Sequence, residues 1–142
     1  MTNFTSSLKR SFRQANVFGG IMDFEKLDVW KLSTELSVNV YREMKNLRDF
    51  GFKDQITRSS LSIPSNIAEG MTRNGYREKL QFLSIAKGSC SELRTQTYIG
   101  QRIEYIDKSI AQEWINQSKR IASMISGLRN KIKQDASRKL DE

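Results

Sequence analysis

Four amphipathic helices packed as an all-α, up-down-up-down antiparallel bundle are the fold this sequence predicts, and three observations predict it. Apolar residues recur at intervals of three, four or seven through four long segments. Glycine-containing or polar breaks separate those segments, which makes the joining loops short and favours antiparallel neighbours. No run alternates apolar and polar residues as a half-buried strand does. At 142 residues the chain suits a single domain whose core needs neither disulfides nor metals.

Residues 1–21 carry Lys9, Arg10 and Arg13 without an acid, are rich in serine and threonine, and end in Gly19-Gly20. Nothing there looks like a core element, and the stretch is expected to be a flexible basic extension; translation from Met22 is the alternative. The stretch Val17 to Ile21 is too short and glycine-broken for a secretory signal. The bundle itself is expected over residues 22–133 and a polar, fraying tail over residues 134–142.

The first helix is expected from Asp23 to Phe50, with apolar residues on two faces. Val29, Leu32, Leu36, Val40 and Leu47 make one stripe, and Leu27, Trp30, Val38 and Tyr41 lie roughly opposite. A helix apolar on two sides needs two partners: the bundle core, and either a neighbouring subunit or a further packing within the chain. Phe50-Gly51-Phe52 breaks the pattern, so a second helix begins near Lys53 or Asp54 and keeps Ile56, Ile63 and Ile67 in one stripe. Pro64 falls inside this helix, where it withholds a hydrogen bond from the Ser60 carbonyl and predicts a kink. Gly70 offers the helix end.

Asn74 or Gly75 caps a third helix running to about Ile103, with Tyr76, Leu80, Leu83, Ala86, Cys90 and Leu93 as its apolar face. Its middle is small, and Ala86, Gly88, Ser89 and Ser91 would admit a close neighbour. Asp107 caps the fourth helix, in which Ile110, Trp114, Ile121, Ile125, Leu128 and Ile132 form one stripe.

Composition narrows the function. The chain has no histidine, which removes the commonest general base, the usual metal ligand and every histidine-dependent triad. Its single cysteine, Cys90, excludes an internal disulfide or cysteine zinc cluster and reads as a small core residue of a cytoplasmic protein. No run approaches the roughly 18 apolar residues of a membrane span. No cofactor or metal is expected. The formal net charge is +8, and the segment from Lys108 to Lys133 holds six basic residues against one acidic. Such a surface attracts phosphate backbones or acidic proteins, or is simply solvated.

Three ordered blocks resemble one known family. Leu27-Asp28-Val29-Trp30, continuing to Leu36 and Tyr41, looks like the opening of the four-helix-bundle proteins encoded in intervening sequences of bacterial 23S ribosomal RNA genes. Ser62 to Gly70, reading SIPSNIAEG after Arg58-Ser59-Ser60, resembles the family's most distinctive motif; Ala86, Gly88-Ser89, Glu92-Leu93 and Thr95 match a further block. The resemblance spans about Phe24 to Lys133. It departs at Glu104, where relatives commonly have glycine, and in the extension before Met22. What it implies is a ring-like homopentamer without enzymatic activity. The accessory proteins of diversity-generating retroelements, which bind nucleic acid and a reverse transcriptase, are distantly similar to this family, and carrying their role across is analogy of fold.

The candidate residues follow. Lys119, Arg120, Arg129, Lys131 and Lys133 are candidates for neutralising the phosphates of RNA or DNA. Arg58, Ser62, Pro64, Asn66, Glu69 and Gly70 form a motif that either satisfies the helix around the proline, with Asn66 and Glu69 supporting each other, or makes a ligand or partner site. Leu27, Trp30, Val38 and Tyr41 are the candidates for a contact between subunits. Glu69, Glu78 and Glu92 are dispersed, although packing could bring Glu69 to Glu92, so no catalytic or metal-ligating residue is assigned. Binding by a basic homo-oligomer is the expected function, with a scaffold for a protein partner as the alternative.

Overall fold

The computed structural model describes residues 23–141. The expected basic extension over residues 1–21 lies outside them. A 3-10 turn, Phe24–Lys26, precedes four α-helices: α1 (Asp28–Met44), α2 (Phe50–Met71), α3 (Tyr76–Arg102) and α4 (Lys108–Asp141). The described residues contain no strand. α1 packs on α2, α2 on α3 and α3 on α4, while α4 also touches α1.

The first helix is shorter than its periodicity implies. Asp23 accepts a hydrogen bond from the Glu25 N–H and opens the 3-10 turn, and Leu27 then enters α1 in an extended conformation. That geometry turns the Leu27 side chain fully into the core, so it is not available to a neighbouring subunit as its helical angle suggests. Trp30 is half-buried, packed on the core and edge-on against Phe24, with ring centroids 5.5 Å apart. Of the proposed second face only Val38 and Tyr41 stay exposed.

α2 begins three or four residues earlier than expected. Asp49 is the reason: its carboxylate accepts from the Phe52 N–H at 3.1 Å, an N-cap that makes Phe50-Gly51-Phe52 the first turn of the helix. Ile56, Ile63 and Ile67 are all fully buried, and Pro64 lies within the helix as its stripe predicts. The helix ends at Met71, and at Gly70 α3 comes close: a Cβ there would stand 3.0 Å from Phe82 Cβ and 3.2 Å from the Lys79 carbonyl.

α3 buries Leu83, Ala86, Cys90 and Leu93 as expected, but Tyr76 is exposed. The expected close approach at Gly88 is absent, since nothing lies within 4 Å of where its Cβ would be. Ser89 makes the contact instead. The tight glycine of this helix is Gly100, whose added Cβ would meet Ile106 Cδ1 at 2.5 Å and Phe52 Cζ at 2.9 Å.

The turn from α3 to α4 is closed by a Schellman pattern. The Glu104 N–H donates to the Gln101 carbonyl at 3.1 Å and the Tyr105 N–H to the Gly100 carbonyl at 2.8 Å. Glu104 occupies the left-handed position with φ 65°, the conformation for which glycine is suited. Asp107 stands immediately before α4, and its carbonyl accepts the Ala111 N–H at 2.8 Å. Trp114, Ile121, Ile125 and Leu128 are buried and Ile110 and Ile132 partly so. Residues 134–141, expected to fray, are helical: α4 continues to Asp141.

Candidate functional site

The SIPSNIAEG segment and the serines before it make a run of contacts between helices. Ser62 Oγ accepts from Asn66 Nδ2 and from Ser89 Oγ of α3, each at 2.9 Å, and Asn66 Nδ2 also reaches the Ser62 carbonyl at 2.8 Å. Ser59 Oγ donates to Gln96 Oε1 at 2.6 Å, and Ser60 meets Ser37 of α1 at 3.2 Å. Short hydroxyls at these levels link α1, α2 and α3. Asn66 and Glu69 do not support each other. Glu69 pairs instead with Arg73 at 3.4 Å, and Arg58 with Asp54 at 3.0 Å. The motif is therefore divided: Ser62 and Asn66 turn towards α3, whereas Arg58 and Glu69 face solvent.

These contacts set the register of α2 against α3 as antiparallel: Gly70 lies by Phe82, Ser62 by Ser89 and Ser59 by Gln96. Glu92 then stands level with about residue 60 of α2, so Glu69 and Glu92 are roughly 13 Å apart along the axis at 1.5 Å per residue. Packing does not bring them together. Among the described residues, no three His, Cys, Asp or Glu side chains are placed to hold a metal ion, and no helix is long and apolar enough to cross a membrane. Burial pushes the Cys90 thiol up to about 12, with Arg94 pulling the other way.

The five basic candidates point in several directions around α4, as their spacing implies, and do not form one patch. Arg129 donates its Nε to the Leu80 carbonyl at 3.3 Å and so ties α4 to α3. Lys131 pairs with Asp135 at 3.4 Å. At about 100° per residue, Arg120 and Lys131 fall on one flank of α4 while Lys119 and Lys133 fall on the other, beside Arg129.

That second flank has company which the sequence of α4 alone could not reveal. The bond between Arg129 and Leu80 fixes the register, and on the edge of α3 facing this flank stand Lys87 and Arg94. Lys87, Lys108, Lys119 and Lys133 are exposed and Arg94 and Arg129 half-exposed. Between them along α3 come Ser84, Ser91 and Tyr98, and along α4 come Gln112, Ser126 and Asn130. The line contains no acid. From Lys133 to Lys108 it runs ~37 Å at 1.5 Å per residue. Cations spaced by hydroxyls and amides suit a row of phosphate oxygens.

Comparisons with known proteins agree with this architecture. A family model described as 23S rRNA-intervening sequence protein matches residues 25–127. A protein of unknown function from the S23 ribosomal protein family of Bacteroides thetaiotaomicron, known from a crystal structure, is 25% identical with a TM-score of 0.67. That likeness covers 71% of this chain and 97% of the other. No curated protein matches.

Proposed function

Because this chain belongs to the family of 23S rRNA-intervening sequence proteins, we propose that it is a non-catalytic, cytoplasmic, self-associating bundle that holds RNA or DNA by the phosphate backbone. The helices close up-down-up-down, and the subunits form a ring of the homopentameric kind that the family resemblance implies. The acid-free line of Lys87, Arg94, Lys108, Lys119, Arg129 and Lys133 along the α3–α4 edge carries the reading. Repetition of that edge around an assembly multiplies the field, and backbone contacts of this sort bind with little regard to sequence.

Fluorescence anisotropy with labelled duplex RNA and DNA across a salt series tests it. Affinity falls steeply with salt, and each of Lys87→Gln, Lys119→Gln and Lys133→Gln flattens the log–log slope by about one. Arg120→Gln, on the other flank, leaves the slope unchanged. Absence of binding at low salt, or equal effects from both flanks, overturns the assignment and favours a scaffold for an acidic protein partner. Incubation of the same nucleic acids with magnesium leaves them intact.

A further inference from the structure

Among the described residues, much of the apolar surface left in water lies on the outward faces of α1, α2 and α3, with Phe50, Tyr76 and Tyr98 exposed elsewhere. On α3 and its cap Ile85, Ile99 and Ile103 are 46–48% exposed, and on α1 and α2 Val38, Tyr41 and Leu61 are 40–48% exposed. α4, by contrast, exposes one large apolar side chain, Leu140, at its far end. Gln81, Ile85, Gly88, Glu92, Thr95, Ile99 and Ile103 are all exposed and follow one another at helical spacing, so they make one straight stripe. From Ile85 to Ile103 it runs ~27 Å. Gly88 sits in its middle with open space outside, and nothing among the described residues packs there to explain a residue that weakens a helix interior.

We propose that this stripe docks, head to tail, on the Val38, Tyr41 and Leu61 surface of a second copy of the chain. The inference rests on the self-association in the proposed function and names the two surfaces that meet. Charge chooses the pairing. Glu92 is the charge at the middle of the stripe, whereas the side of α1 that carries Val38 holds Lys31, Arg42 and Lys45 against one acid, Glu35. Arg58, already paired with Asp54, stands beside Tyr41. Stripe against stripe would oppose Glu92 to Glu92, and the other surface against itself would oppose two net positive faces; the mixed contact pairs faces of unlike net charge. Six half-exposed side chains at on the order of 80 Å2 each supply roughly 500 Å2 of apolar area. That is about the apolar share of a contact burying ~1,000 Å2, the lower bound for a specific interface. Such a contact uses different surfaces on the two partners, so it repeats until a ring closes. The basic α3–α4 edge is left uncovered.

Complementation tests it. Ile99→Arg spoils the stripe and leaves the Val38 surface intact; Val38→Glu does the reverse. Both positions are exposed, and circular dichroism melts confirm that both variants fold. In light scattering coupled to size exclusion at tens of micromolar, each variant alone runs as a monomer, and the equimolar mixture forms a one-to-one dimer. A mixture that stays monomeric, or either variant keeping the wild-type mass, overturns the pairing while self-association stands. A monomeric wild type overturns both.

Discussion

Replacing Glu104 by glycine should stabilise the protein, and the size of the gain follows from the backbone. Glu104 sits at φ 65°, where the Cβ of an L-residue crowds its own carbonyl at a cost of about 1–2 kcal/mol. Glycine removes that crowding but returns about 0.4–1 kcal/mol of freedom to the unfolded chain. The net gain is ~0.5–1 kcal/mol, since the Schellman bonds from Glu104 and Tyr105 use only backbone atoms and survive the change. For a chain of this size that corresponds to a rise of ~1–4 °C in melting temperature. Thermal melts and urea titrations at one fixed protein concentration measure it, because assembly would otherwise move the midpoint. The urea slope stays constant while the midpoint rises. Glu104→Ala keeps the Cβ and gains nothing. A glycine variant that melts at or below the wild type, or an alanine variant that matches it, refutes the strain argument.

The opposite change belongs at Gly100. Alanine there places a Cβ against Ile106 and Phe52, and overpacking of this kind costs about 1–3 kcal/mol, read as a lower urea midpoint. The Asp49 carboxyl, held below its ordinary 3.8 by the Phe52 N–H and then by the Tyr105 hydroxyl, titrates by NMR below that value, and Tyr105→Phe moves it back up. A depressed carboxylate stabilises the fold above its unfolded value, and that contribution disappears as pH falls through the folded one. Tyr105 is shifted the other way by the same bond, so its contribution is present below pH 10 and is lost as the pH rises through its raised value. Cys90, buried with its thiol at about 12, resists a thiol reagent at neutral pH until denaturant is added, and labelling of the native protein at the rate of a free thiol would contradict its placement.

Periodicity revealed what depends on one helix at a time. The stripes of Ile56, Ile63 and Ile67 and of Trp114, Ile121, Ile125 and Leu128 are core because a helix buries one face whatever lies opposite. What escaped it depends on caps or on two helices together. Asp49 turned an aromatic-glycine break into a first turn, and the 3-10 turn before Asp28 rotated Leu27 inward. A polar C-terminal segment stayed helical because α4 had already been nucleated along its whole core face. Among the basic residues, Lys119 and Lys133 were legible as exposed cations. Lys87 and Arg94 joined them only once the α3–α4 register was known, which no spacing within α4 encodes. Helical spacing also placed Gly88 in a contact, and among the described residues no helix fills it.

The serine contacts between α1, α2 and α3 have a consequence for how the helices can slide. Leucine and isoleucine seams are forgiving, since a shift of one turn, about 5.4 Å, sets similar side chains against similar hollows. Ser37 with Ser60, Ser59 with Gln96 and Ser62 with Ser89 are not interchangeable in that way. Ser59, Ser60 and Ser89 each keep a bond to a carbonyl of their own helix, so a slip strands none of those hydroxyls. It forfeits the three cross-helix bonds, at about 1 kcal/mol apiece. The hydroxyls thus act as detents on a sliding shaft, adding little to the depth of the native state while making neighbouring stops shallower. Apolar residues of matching volume at all six positions would hold the bundle together as firmly, yet leave it free to settle in more than one register.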